Sequence, residues 1–109
     1  MHDAHPGRAV EVLYFAGCPN HEAFVPHLRR LLSDAGVDAP VEFVEITGDG
    51  DAQQHQFLGS PTLRVGGVDV DPSAAHRDDY GMQCRLYLTE WGSQGTPPDE
   101  WILRALDAQ

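Results

Sequence analysis

The sequence predicts an α/β domain in which a central mixed sheet of about four strands is flanked by helices. Segments whose apolar residues alternate with a period of two lie between segments with helical spacing, in the order β-α-β-α-β-β-α. A helix between the first two strands favours parallel pairing, because parallel strands need a long crossover connection. Gly66 and Gly67 then predict a tight antiparallel hairpin between the last two strands.

Four short runs carry the strand signal. They cover about residues 9–15, 41–46, 62–65 and 68–70. The alternation in the first run places two sets of side chains on opposite faces: Val10, Val12 and Tyr14 on one, and Ala9, Glu11, Leu13 and Phe15 on the other.

Three segments carry the helix signal. The first is amphipathic and runs from the predicted N-cap Asn20 to about Ala35, with Gly36 just past its end. A short polar helix is predicted over about residues 51–58. A last helix follows Thr96, which we expect to cap it.

Residues 9–109 are predicted to form one domain after a disordered lead at residues 1–8. An inserted segment at about residues 71–96 lacks a clear period, and within it residues 85–88 could form a short strand or a helical turn. The aromatic residues of the segment either line a pocket or attach it to the core: Tyr80, Tyr87 and Trp91.

The composition narrows the classes of function. A formal charge of −10, from 17 acidic and 7 basic residues, argues against binding to nucleic acids or anionic membranes. All the basic residues are arginine, which excludes lysine Schiff-base chemistry. We see neither an apolar run of the roughly 20 residues that a membrane span needs nor a secretory signal. We therefore expect a cytoplasmic protein whose two cysteines serve catalysis, redox sensing or metal binding rather than a structural disulfide.

Cys18 is the strongest candidate for chemistry, because it lies between the first strand and the first helix. Unpaired N–H groups and the helix dipole favour a thiolate at a helix N-terminus, and thiolates are nucleophiles and ligands of soft metals. His21, one turn further, either supports that thiolate as a cation or moves a proton, or is an exposed histidine without a role. The alternative for Cys18 is a buried, inert cysteine.

Several features together resemble the thioredoxin-like superfamily. Cys18 stands at the first strand–helix junction, and Pro26 lies eight residues later, as the helix-kinking proline of thioredoxins does. Gly-Ser-Pro-Thr-Leu at residues 59–63 matches the family's cis-proline segment before the final hairpin. The resemblance covers about residues 9–70 and 97–109. The early Tyr-Phe-x-Gly-Cys-Pro-Asn and the late Cys-Arg-x-Tyr also look like small bacterial proteins of this fold, some of them labelled alkylmercury-lyase-related.

The resemblance implies a substrate site beside the first cysteine. Pro61 is expected to be cis and to lie near Cys18, and the backbone of Ser60 is expected to pair with an extended peptide or thiol ligand. Pro19 is counted with them as a substrate-binding residue. His21 takes the place of the second cysteine of the family's Cys-x-x-Cys motif, which excludes dithiol turnover within that motif.

Cys84, in the inserted segment, decides between mechanisms. If the segment folds over Cys18, Cys84 could resolve a mixed disulfide or sulfenic acid formed at Cys18, which requires Cα atoms within about 7 Å. The same proximity would give a two-thiolate site for mercury, copper(I) or zinc, and Arg77 or Arg85 could supply a cation. Otherwise Cys84 is a core cysteine far from Cys18.

Several functions follow as hypotheses. The leading one is a thiol-dependent oxidoreductase that uses Cys18, His21 and Cys84 as catalytic residues, acts on a thiol- or disulfide-containing protein or a small thiol, and needs no cofactor. The second is soft-metal or organomercurial binding through the two cysteines, and the third is a non-catalytic interaction module. An arsenate-reductase-like enzyme is the weakest, because only Arg64 is suitably placed among the arginines.

Overall fold

A computed structural model of the chain describes residues 9–107. The strands in this range are β1 (Val10–Tyr14), β2 (Val41–Glu45), β3 (Thr62–Val65), β4 (Val68–Asp69), β5 (Tyr87–Thr89) and β6 (Gly92–Gln94). The α-helices are α1 (Pro19–Asp34), α2 (Asp49–His55) and α3 (Asp99–Asp107). The lead predicted at residues 1–8 lies outside the described residues, as do the last two residues of the predicted domain.

The first four strands form one mixed sheet in the order β2-β1-β3-β4. β1 pairs in parallel with β2, where Val12 lies opposite Phe43, and antiparallel with β3, where Val12 lies opposite Leu63. β3 and β4 pair antiparallel, and the turn between them is made by Gly66 and Gly67, with φ of 60° and 81°. The predicted α/β class and its mixed four-stranded sheet are confirmed.

The alternation along β1 divides the core into two layers. One cluster joins β1 and β3 to α1 and α3: Val10, Val12, Phe24, Leu28, Leu32, Leu63, Val65, Val70, Ile102 and Leu106. A second cluster joins β1 to α2: Leu13, Ile46, Ala52 and Phe57. Because Val12 and Leu13 are neighbours in the strand but belong to different clusters, helices pack on both faces of the sheet.

Helix α1 has its N-cap two residues before the predicted one. Cys18 is the N-cap, in an extended conformation with φ of −76° and ψ of 112°. Pro19 follows in the first turn, where the missing N–H of proline costs no helical hydrogen bond. Asn20, the predicted N-cap, therefore lies inside the helix. The predicted end is confirmed, since Gly36 follows the C-cap with a φ of 70°.

The other two helices also differ from their predicted bounds. The short polar helix occupies Asp49–His55 rather than residues 51–58, and it ends where Gln56 adopts a left-handed φ of 54°. Helix α3 begins at Asp99, and Thr96 is not its cap. Two prolines separate Thr96 from the helix and keep its side chain out of the first turn.

The inserted segment carries secondary structure of its own. It contains a 3-10 helix at Pro72–His76 and the hairpin of β5 and β6. Of the two alternatives for residues 85–88, the strand is the one observed, and it begins only at Tyr87. Tyr87 is buried and attaches the segment to the core, since its hydroxyl donates to the carbonyl oxygen of Pro61 at 2.6 Å. Trp91 is exposed. Within the described range, no helix combines the length and apolar character needed to cross a membrane.

Candidate functional site

Cys18 is a fully buried residue at the junction of β1 and α1. The backbone N–H of Cys18 donates to Phe15, and its carbonyl oxygen accepts the N–H of Glu22, which closes the first turn of the helix. The thiol donates to the carbonyl oxygen of Ser60, with a sulfur–oxygen distance of 3.7 Å. This contact requires the thiol hydrogen. Among the described residues, the sulfur accepts no capping hydrogen bond from the helical N–H groups.

Ser60 is the residue around which the site is built. It is fully buried and precedes Pro61 through a cis peptide bond. Its hydroxyl oxygen accepts the backbone N–H of Phe15 at 3.4 Å. Ser60 is thereby joined to both ends of the turn that connects β1 to α1, by its hydroxyl at Phe15 and by its carbonyl oxygen at Cys18.

The backbone of Ser60 is already paired with the inserted segment. Its N–H donates to the carbonyl oxygen of Gln83 at 2.9 Å, and its carbonyl oxygen accepts the N–H of Arg85 at 3.1 Å. These two bonds make a parallel bridge in which Cys84 lies directly opposite Ser60. The backbone groups that the family resemblance assigned to an incoming substrate are therefore occupied by this chain itself.

The shared carbonyl oxygen brings the two cysteines into one neighbourhood. It lies 3.7 Å from the sulfur of Cys18 and 3.1 Å from the nitrogen of Arg85. The distance from the Cys18 sulfur to the Arg85 nitrogen therefore cannot exceed the sum of these two distances. Cys84 precedes Arg85 and is joined to that nitrogen by the peptide bond. Directly opposed residues carry their side chains on the same face of a β pairing, so the thiol of Cys84 lies on the side of the Ser60 hydroxyl. Both thiols are free, with Cys18 buried and Cys84 exposed.

Gly59 permits the close approach of the inserted segment. Its φ is 130°, and a Cβ atom built there would lie 3.0 Å from the backbone of Arg85. Only glycine accommodates both the conformation and the contact. Pro19, which the sequence places beside the thiol as a substrate-binding residue, is exposed on the first turn of α1.

His21 packs against aromatic rings rather than bonding to the thiol of Cys18. Its ring stacks on Tyr14, with centroids 4.0 Å apart and planes 5° apart, and meets the edge of Phe43 at 6.2 Å. Burial lowers the pKa of His21 against the opposing effect of Glu22, so the neutral ring is favoured. Among the described residues, its buried Nδ1 atom has no hydrogen-bond partner. A neutral, stacked imidazole lends no support to the cationic role predicted for His21.

Arg85 is the residue of this region that the sequence did not single out for its actual role. Its guanidinium is fully buried and makes a two-point contact with Asp69, at 2.7 and 3.0 Å. It also donates to the hydroxyl of Thr62 at 3.0 Å and lies 3.4 Å from Asp71. Burial opposes the charge, but Tyr87 and the two carboxylates outweigh it, and the pKa of Arg85 is raised.

Arg77 is paired in a different way. It forms a surface ion pair with Asp79, and the hydrogen bond between them raises the pKa of Arg77 and lowers that of Asp79. Neither arginine proposed as a cation for the thiols contacts a sulfur by a hydrogen bond within the described range. Both are committed to carboxylates instead.

Four of the predicted site residues therefore lie together: Cys18, Ser60, Pro61 and Cys84. Two others, His21 and Pro19, lie on the first turn of α1 and make no hydrogen bond to the thiols among the described residues. A comparison of this chain with family models, curated proteins and solved structures found no match.

Proposed function

We propose that the protein is a thioredoxin-like thiol protein in which Cys18 and Cys84 form one redox pair across Ser60. The observation that carries the proposal is the carbonyl oxygen of Ser60, which accepts both the thiol of Cys18 and the N–H that follows Cys84. A sheet order of β2-β1-β3-β4, with a cysteine at the junction of β1 and α1, supports the thioredoxin-like assignment.

The exposure of the two thiols suggests the order in which they react. Cys84 is exposed and Cys18 is buried, so a partner meets Cys84 first. This order is the reverse of the one that the sequence suggested, where Cys18 attacks and Cys84 resolves. The reason is that Cys18 has no accessible surface in the folded protein.

The proposed reaction is thiol–disulfide exchange in two steps. The thiolate of Cys84 attacks one sulfur of a partner disulfide, that disulfide breaks, and its other sulfur leaves as a thiolate. The thiolate of Cys18 then attacks the Cys84 sulfur and displaces the second partner thiolate. The protein dithiol is oxidised to a disulfide, and the partner disulfide is reduced by two electrons. The two thiol protons of the protein are found at the end on the two partner thiols.

The experiment mixes the reduced protein with oxidised glutathione and quenches samples with acid at successive times for mass spectrometry. The wild type is expected to pass through a glutathione adduct on Cys84 to an internal disulfide. Cys18→Ser should accumulate that adduct without resolving it, and Cys84→Ser should react far more slowly, because its remaining thiol is buried.

Two results would oppose this function. If glutathione attaches first to Cys18, the order of attack is wrong. If neither thiol exchanges with the disulfide, the redox function is wrong, and soft-metal binding and a non-catalytic interaction module remain as hypotheses.

A soft-metal site is the second candidate, and the same juxtaposition of two thiols favours it. A pair of thiolates suits copper(I) or mercury(II), which accept few, soft ligands. Within residues 9–107, no group of three or more histidine, cysteine and acidic side chains is placed to hold a metal ion, so the site considered has two ligands. Stoichiometric mercury(II) binding that is lost in both Cys18→Ser and Cys84→Ser would support it. Retention in either variant would exclude a joint site.

A further inference from the structure

We propose that Arg85 is a positioning residue, whose buried ion pair with Asp69 holds Cys84 opposite Ser60 and so keeps it within reach of Cys18. The inference rests on the proposed redox pair. It adds to that pair the device that determines how readily the two thiols join.

The first argument is the direction in which the residues around Cys84 face. From Met82 to Leu88, exposed side chains alternate with less exposed or buried ones, as in an extended strand. Cys84 is exposed, while Arg85 and Tyr87 are fully buried. The segment that carries the reactive thiol is therefore attached to the domain through the two residues that follow it on the inward-facing side.

The second argument is the number and quality of the contacts that Arg85 makes. Its guanidinium contacts Asp69 by two hydrogen bonds, which fixes both its distance and its plane. Asp69 belongs to β4, and Thr62, a third partner, belongs to β3. The guanidinium also lies over the aromatic ring of Tyr87, with its central carbon 4.4 Å from the ring centroid. Arg85 thus ties the segment to the central sheet.

The third argument is that Arg85, whose side chain is paired with Asp69, directly follows the residue of the β-bridge, Cys84. The backbone N–H of Arg85 donates to Ser60, while its side chain is held by Asp69. A displacement of the guanidinium therefore moves the bond that places Cys84. The backbone of Arg85 also packs closely on Gly59, where a Cβ atom would lie 3.0 Å from it. This close packing restricts where the backbone around Cys84 can lie.

Arg85 acts through geometry and not by contact with a reacting atom. Its guanidinium is directed to carboxylates on the side opposite to the Cys84 side chain, because successive side chains of an extended segment point in opposite directions. A buried ion pair often adds little net stability compared with an apolar replacement. We therefore expect the ion pair to affect the position of Cys84 more than the stability of the protein. The equilibrium of disulfide formation reports that position.

The test measures the equilibrium between the reduced protein and its Cys18–Cys84 disulfide in glutathione buffers, by acid quench and mass spectrometry. Arg85→Met is expected to lower the equilibrium constant for disulfide formation at least tenfold, which corresponds to a rise of about 30 mV in the reduction potential of the pair. The matched control is Arg77→Met, in the same segment, whose ion pair with Asp79 is at the surface. It should change the constant by less than about twofold.

A second readout separates positioning from general destabilisation. Thermal unfolding of the reduced variants reports lost stability, which by itself affects the reduced and oxidised forms alike and leaves their ratio unchanged. If Arg85→Met does not fold, because Asp69 is left unpaired, Arg85→Met/Asp69→Asn removes the unpaired charge. Arg85→Lys keeps the charge without the two-point contact and should fall between the wild type and Arg85→Met.

The outcomes distinguish this inference from the function on which it rests. If the wild type forms no Cys18–Cys84 disulfide, the proposed function fails. If the wild type forms it and the folded Arg85 variants keep the equilibrium constant within about threefold, the function stands and the positioning role of Arg85 is overturned.

Discussion

Cys84 lies directly opposite Ser60 in a parallel β-bridge, and the carbonyl oxygen of that serine also accepts the thiol hydrogen of Cys18. Cys18 and the residue that follows Cys84, which is itself 66 positions further along the chain, thus bond to one backbone carbonyl oxygen. The inserted segment makes this arrangement, because it supplies the backbone that pairs with Ser60.

The two thiols should differ strongly in their reactivity towards alkylating agents. Cys84 is exposed, whereas Cys18 has no accessible surface and requires local opening before it reacts. In the folded, reduced protein, iodoacetamide should modify Cys84 at least about 100-fold faster than Cys18. Peptide mapping after a short pulse measures both rates, and unfolding in guanidinium should abolish the difference. Equal rates in the folded protein would contradict the burial of Cys18.

Gly59→Ala should destabilise the protein and loosen the pairing at Ser60. The new Cβ would lie 3.0 Å from the backbone of Arg85, at a φ of 130° that alanine rarely adopts. We expect a loss of about 1–3 kcal/mol in the free energy of unfolding. Gly50→Ala in α2 is the control, because it meets open space and should stabilise the helix by about 0.5–1 kcal/mol. Urea denaturation measures both, and a neutral Gly59→Ala would refute the close approach.

The effect of pH on stability should reveal the environment of His21. Its pKa is lowered in the folded protein by burial, so the unfolded chain binds the proton more readily between that pKa and 6.5. Stability should therefore fall as the pH drops through 6.5, and level off below the folded pKa. His21→Phe keeps a ring between Tyr14 and Phe43 and should weaken this dependence. Urea denaturation from pH 8 to 5 checks it, and an unchanged dependence in His21→Phe would contradict the burial of this histidine.

The two leucines Leu28 and Leu88 provide a direct test of the layers. Leu28 in α1 is fully buried in the cluster beneath β1, whereas Leu88 in β5 is mostly exposed. Leu28→Ala should cost about 2–5 kcal/mol in the free energy of unfolding, and Leu88→Ala less than about 0.5 kcal/mol. Denaturant unfolding of both variants measures the difference. Similar costs would mean that α1 does not pack on the sheet as described.

The parts of the fold that sequence patterns predicted are those governed by local periodicity. The alternation in β1 distinguished Val12 from Leu13, and these two residues do enter different layers. The pair of glycines at Gly66 and Gly67 indicated the hairpin, because few other residues adopt a positive φ twice in succession. Gly36 marked the end of α1 for the same reason.

The boundaries failed where two local signals compete. Asn20 is a good N-cap by residue type, but Pro19 is suited to the first helical turn, and its position moves the cap back to Cys18. Thr96 is likewise a good cap by type, yet two prolines keep it outside α3. Residue preferences therefore rank the candidate N-cap residues but do not determine at which of them the helix begins.

The site itself depends on contacts that no local pattern encodes. Cys18 was identified from its place between a strand and a helix, but the bridge between Ser60 and Cys84 joins a turn to a segment without periodicity. The burial of Arg85 was equally hidden, since arginine is rarely buried unless it is paired. The signal in the sequence is the acidic pair Asp69 and Asp71 at the end of the hairpin, which only the fold brings to Arg85.

The most direct test of the central claim is the end state of the wild-type protein after equilibration with oxidised glutathione. If Cys18 and Cys84 form one pair across Ser60, the product is a monomer lighter by two hydrogens, with a single linkage that joins the peptides of the two cysteines. A product in which Cys84 carries glutathione while Cys18 remains a free thiol, or in which two chains are joined, would contradict it.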